Sequence, residues 1–131
     1  MEQANATPRN AIDWFEIPVL DMDRAVAFYE ALLATSMHRE DLGSKQLAVF
    51  THDGEHGTGG CLLAGDNLPA PSLDGSLVYL HAGPSLDVVV ARVEAAGGRV
   101  LVPKVTLPGD MGCFVHVADT EGNRVGLHAL W

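Results

Sequence analysis

Basic residues are scarce in this sequence and nowhere clustered: 8 Lys and Arg stand against 17 Asp and Glu, a formal charge of −9. Nothing is available to neutralise a run of phosphates, which argues against nucleic acid as a partner. The lack of a basic face argues equally against a membrane surface, and no apolar run approaches the roughly 20 residues of a spanning helix. There are 2 cysteines, Cys61 and Cys113, without CxxC spacing, so neither a disulfide framework nor a thiolate cluster is expected. Reduced thiols in a cytoplasmic protein, packed in strands as small hydrophobes, are the expectation. No G-x-S-x-G, P-loop or dinucleotide fingerprint occurs. The opening Met1–Pro8 lacks the basic and apolar regions of a signal peptide and reads as a frayed leader. A small molecule or another protein chain remains as partner.

What is present is a pattern met twice. Ile12–Ile17 is aromatic and β-branched and predicts a strand. Asp21 offers an N-cap for a helix from about Met22 to Ala34, with Met22, Ala25, Val26, Tyr29, Leu32 and Leu33 as its apolar stripe. Strands are predicted near Met37–Leu42, Gln46–Thr51 and Gly60–Leu63, the last two separated by the glycine-rich turn His52–Gly57. Residues 67–75, with Pro69, Pro71 and Gly75, have the composition of a linker. The order then restarts: a strand at Leu77–His81, a helix capped by Ser85 or Asp87 and closed by Gly97-Gly98, and strands near Arg99–Val102, Cys113–Val117 and Arg124–Leu130. Asp119–Asn123 is a hairpin turn. A shift of 64 residues sets Asp23 on Asp87, Val26 on Val90, Ala27 on Ala91, Glu30 on Glu94 and Ala31 on Ala95, which favours internal duplication.

The run WFEIPVLDMDRAVAFYE (Trp14–Glu30) resembles the opening strand and helix of glyoxalase-like proteins. VYLHAG (Val78–Gly83), ARVEAAGGRVLVPK (Ala91–Lys104) and DTEGNRVGLH (Asp119–His128) resemble the second half of the same family. The chain is thereby similar to the glyoxalase/bleomycin-resistance/extradiol-dioxygenase (vicinal-oxygen-chelate) superfamily, and to a bacterial subgroup related to lactoylglutathione lyase. The resemblance implies an α+β fold of two βαβββ modules, at about 11–66 and 76–131, whose sheets curl into a barrel-like cavity within one domain. It also implies one divalent ion held by His and Glu from the first and last strands of the modules, chelating two substrate oxygens.

Those ligand positions fall on unsuitable residues. The first falls on Trp14, whose indole nitrogen is a donor only, and the last on Gly126, where metal-dependent relatives carry Glu. The others fall on Gly60 or Cys61 and on Leu77 or Val78. The usual ligands are not found, although a divalent metal on a displaced set remains open. Strand alternation turns Trp14 and Glu16 to one face, Tyr79 and His81 to the corresponding face, and Gly126 and His128 likewise. Glu16, His81 and His128 are therefore the candidate catalytic residues, either as displaced ligands or, more simply, as polar cavity groups. Trp14, Tyr79 and Gly126 are the candidate ligand-binding positions. His52 and His56 read as loop residues and His38 as exposed. His116, between two valines, has no assigned face. Lys104 reads as a surface residue that can also reach an anion at the cavity mouth.

Two functions follow as expectations. One is a lyase or isomerase acting on a small metabolite, with Glu16, buried beside Trp14, as the base and Tyr79, His81 or His128 stabilising oxyanion charge. The alternative is a non-catalytic binding protein of the antibiotic-sequestering type, with Trp14 and Tyr79 as stacking surface and the acidic charge drawing a cation. An extradiol dioxygenase, which needs two His and a Glu on iron, ranks last. A homodimer is expected, because curled sheets and helix stripes leave surface to be covered.

Overall fold

The β-branched and aromatic residues of the opening segment form strand β1 (Trp14–Pro18) in a computed structural model that describes residues 7–131. The leader reading of Met1–Pro8 falls mostly outside those residues. Asp21, in extended conformation, caps helix α1 (Met22–Leu33) by accepting from the Arg24 N–H at 3.1 Å, and Ala34 closes the helix with φ of 53°. Strands β2 (His38–Asp41), β3 (Lys45–Val49) and β4 (Gly59–Gly65) follow. The second half repeats the order with β5 (Tyr79–His81), helices α2 (Leu86–Val90) and α3 (Val93–Ala96), then β6 (Arg99–Thr106), β7 (Cys113–Ala118) and β8 (Arg124–Ala129). The sheet orders are β1-β4-β3-β2 and β5-β8-β7-β6, with β1–β4 and β5–β8 parallel and the remaining pairs antiparallel.

The fold is therefore α+β, two four-stranded mixed sheets in the expected order. They curl without closing into a barrel. The helix expected from Ser85 to Ala96 is two short pieces. Val88-Val89-Val90 supplies three β-branched residues in a row, which weakens helix propagation at the point where the break occurs.

Each sheet turns one face to the helices. Phe15 and Ile17 of β1, Leu62 of β4, Val78, Leu80 of β5 and Val125 and Leu127 of β8 all pack into a single core with Phe28, Tyr29, Leu32, Leu86, Val89 and Val93. The helices match at a shift of 64, since Met22, Ala25 and Tyr29 are buried as Leu86, Val89 and Val93 are. The strands cannot share that even shift. It would pair Trp14, facing away from α1, with Val78, facing the core.

A polar tie locks the halves together. Asp119 to Asn123, the β7–β8 turn, docks on the start of α1. Glu121 accepts from the N–H groups of Leu20 and Asp21, both at 2.8 Å, from Arg24 Nε at 2.6 Å and from Thr120 Oγ1 at 2.9 Å. Tyr29 Oη donates to Asp119 Oδ2 at 2.6 Å, and Asn123 Nδ2 donates to the Pro18 carbonyl at 2.8 Å. Burial first, then the Asp119 charge and hydrogen bond, hold the Tyr29 phenol well above its ordinary pKa, so it stays protonated and donates to Asp119. Among the described residues every buried side-chain polar atom has a hydrogen-bond partner.

Candidate functional site

On the second sheet the face turned away from the helices is built by alternation. Because Cys113, Val115 and Val117 point into the core, Phe114 and His116 point out, beside Gly126 and His128 of β8 and Tyr79 of β5. Gly126 is the floor of this group. A Cβ there would lie 2.3 Å from Tyr79 Cδ2, so only glycine lets the ring lie flat on the strand. Tyr79 and Phe114 meet edge to face with centroids 5.5 Å apart, and the His116 ring is 5.5 Å from the first and 5.4 Å from the second. Tyr79 Oη and His116 Nε2 are 2.7 Å apart, and Arg124 Nη1 lies 3.3 Å from His116 Nδ1. Partial burial, and then the Arg124 charge, push the His116 pKa down. Arg124 is itself anchored by its Nε to the Leu73 carbonyl at 2.9 Å.

Of the expected binding residues, Tyr79 and Gly126 thus come together, while Trp14 stands on the first sheet with His52 edge-on to it at 6.2 Å. Of the candidate catalytic residues, His81 and His128 are register partners on the adjacent strands β5 and β8, while Glu16 stands on the first sheet. Glu16 lines a cavity of about 210 Å³ with Pro69, Ser72, Val78 and Arg124. His81 lines a groove of about 510 Å³ with Phe15, Phe50, His52 and Tyr79. His128 Nε2 donates to the Met111 carbonyl at 2.6 Å. The burial expected for Glu16 is not found. Like Trp14 it is exposed, on the face of the edge strand β1 that is turned away from the core. His52 and His56 lie at a turn held by Asp53, and Lys104 is 3.3 Å from Asp87.

The family's divalent ion does not fit the residues present. Trp14 and Gly126 offer no side-chain lone pair for a metal, Leu77 and Val78 are apolar, and β5 begins only at Tyr79. The Cys61 thiol is buried, and burial first, then the Glu16 charge, raise its pKa. Among the described residues no group of three or more His, Cys, Asp and Glu is placed to hold a metal.

Sequence reasoning missed Phe114 and Arg124 and left His116 without a face. The period-two burial of Cys113, Val115 and Val117 carries the signal for the strand residues. Nothing local marks Arg124, whose partner His116 lies across a hairpin.

A family model described as the Glyoxalase/Bleomycin resistance protein/Dioxygenase superfamily matches residues 11–127. CFP32 of Mycobacterium tuberculosis, whose name marks it as a candidate glyoxylase, is 27% identical over 109 residues; the match takes in 83% of this chain and only 40% of the length of that relative. A glyoxylase/bleomycin resistance protein/dioxygenase domain from Frankia sp. superposes with a TM-score of 0.69 at 19% identity, over 93% of this chain and 98% of that one. Glyoxalase I from Zea mays superposes with a TM-score of 0.64 at 20% identity, over 90% of this chain and 45% of that one. At these identities the structural likeness speaks for the fold.

Proposed function

This chain belongs to the glyoxalase/bleomycin resistance protein/dioxygenase superfamily, and from that premise we propose that it binds a small organic molecule without a metal ion. One observation carries this reading: Tyr79, Phe114 and His116 form a mutually packed aromatic surface whose floor, Gly126, stands where the family resemblance would put a metal-binding Glu. Tyr79 is 46% exposed, so a planar ligand gains stacking area there without rearrangement. The protein is a single domain of two modules joined by residues 67–75, and it acts as a homodimer in the cytoplasm. The free, buried cysteines suit a reducing compartment. The exposed Met111, Leu130 and Trp131 suit a covered interface.

Protein prepared without affinity-tag nickel and then reconstituted with Zn²⁺, Ni²⁺ or Fe²⁺ is expected to hold no stoichiometric ion, and to sediment as a dimer. In a thermal-shift screen of aromatic small molecules, hits on the parent are expected to weaken about tenfold or more in Tyr79→Ala. One ion per subunit, lost on changing Glu16, His81 or His128, would overturn the metal-free reading.

The second reading, a lyase or isomerase, is favoured by the hydrogen-bonded Tyr79–His116 pair, which can supply an acid, and by the exposed Glu16 carboxylate, which can supply a base. If this reading holds, Glu16→Gln lowers kcat/KM about a hundredfold or more on the substrate that shows turnover. An unchanged value removes Glu16 from the chemistry.

A further inference from the structure

The contacts of His116 determine where its proton sits. A guanidinium has only donors. With Arg124 Nη1 at 3.3 Å from Nδ1, a hydrogen on Nδ1 would face another hydrogen, so Nδ1 must accept and the single ring proton must lie on Nε2. Nε2–H then donates across 2.7 Å to Tyr79 Oη. The phenol oxygen is thereby an acceptor toward His116, and its own O–H is left free on an exposed face. Direction is imposed from one end. The Nε anchor on Leu73 holds the guanidinium in place. Among the described residues no carboxylate is paired with Arg124, whereas Arg24, Arg39 and Lys104 are matched with Glu121, Asp23 and Asp87. Glu16 lines a cavity with Arg124 without an ion pair to it. The lowered His116 pKa agrees with a ring held neutral.

We propose that Arg124, His116 and Tyr79 form an ordered donor chain, with Arg124 and His116 as positioning residues, that presents the Tyr79 hydroxyl to an acceptor oxygen of the bound molecule, and that the ligand class is the small aromatic carboxylates. The aromatic ring packs against Tyr79 and Phe114, the carboxylate takes the free O–H, and the unpaired guanidinium supplies a local positive charge that favours an anion here against the net −9 of the chain. The ligand half rests on the binding reading above. The tautomer does not.

The test has two parts. In protein labelled with ¹⁵N-histidine at neutral pH, His116 is expected to show a protonated Nε2 and a bare Nδ1, and Arg124→Met is expected to release a mixture of both tautomers. A parent His116 with its proton on Nδ1 overturns the chain, whatever binds. Benzoate is then titrated, with benzylamine as the cationic comparator. The parent is expected to prefer benzoate, and Tyr79→Phe, which keeps the ring, to weaken benzoate about tenfold while leaving benzylamine unmoved. Equal benzoate affinity in Tyr79→Phe overturns the donor role. No benzoate binding, with the tautomer as stated, overturns the ligand class and leaves the chain standing.

Discussion

Glu121→Ala is expected to cost the folded protein about 3 kcal/mol, measured as a shift of the urea midpoint with an unchanged slope. The Glu121 side chain is fully buried and gathers donors from three directions: the chain before α1, the Arg24 guanidinium and Thr120. Arg24 is 49% exposed, so its charge is rehydrated when the partner goes. The loss falls on the Leu20 and Asp21 N–H groups, which lie at the seam between the halves and are left without an acceptor. The same site predicts an acid limb. Burial alone would raise the Glu121 pKa, but hydrogen bonds from Arg24, then Asp21, Thr120 and Leu20, bring it to about 2 from the ordinary 4.5. A lowered pKa means stability that is fully present above about pH 4.5 and is lost as the pH falls toward 2. The amount is about 3 kcal/mol. Between pH 7 and 5 the parent should stand above Glu121→Gln by a constant margin, and that margin should shrink through the acid window. A margin that stays constant down to pH 2 would show that the carboxylate charge is not what holds the seam.

Gly60→Ala and Gly126→Ala are the same chemical change in equivalent sheets, and opposite results are expected. In each an aromatic ring of the neighbouring parallel strand lies where the new methyl would go, 2.3 Å from Phe15 at Gly60 and 2.3 Å from Tyr79 at Gly126. Phe15 is half-buried and held against the core beside Phe50, so it yields less readily than an exposed ring and Gly60→Ala should lose about 2 to 3 kcal/mol. Tyr79 is half exposed and can swing outward. Gly126→Ala should therefore cost less than about 1 kcal/mol in stability while breaking the contact with His116 and weakening aromatic ligands about as much as Tyr79→Ala. Calorimetry and ligand titration on the two variants separate the effects. Equal stability losses would mean that Tyr79 is as fixed as Phe15.

The strands and helices were legible because their burial is periodic: the stripe of α1 and the alternation in β1 and β8 can be read off the residues. The break between α2 and α3 lay in plain view in Val88-Val89-Val90, yet a well-formed stripe of apolar positions masked the weak local propensity. The outward faces of Glu16, Tyr79, His81, Gly126 and His128 follow from alternation alone. Which of them meet does not, because it depends on how β5 lies against β8 and on where Leu73 crosses. Arg124 next to His116 is a relation between two strands with no trace in either one. Glu121 and Asp119 read locally as turn formers. Their larger role, capturing α1 of the other half, is set by packing across about a hundred residues of sequence.

The hairpins at corresponding places in the two halves do different work. The turn between β7 and β8 is buried and committed, with Asp119, Glu121 and Asn123 all spent on the other half. The turn between β3 and β4, from His52 to Gly57, is exposed and is held by Asp53 from within. Symmetry is thus kept in the scaffold and surrendered at its joints. One hairpin is frozen as a clasp, and its twin, relieved of that work, is the part of the fold at liberty to lengthen or change sequence as the molecules it meets change.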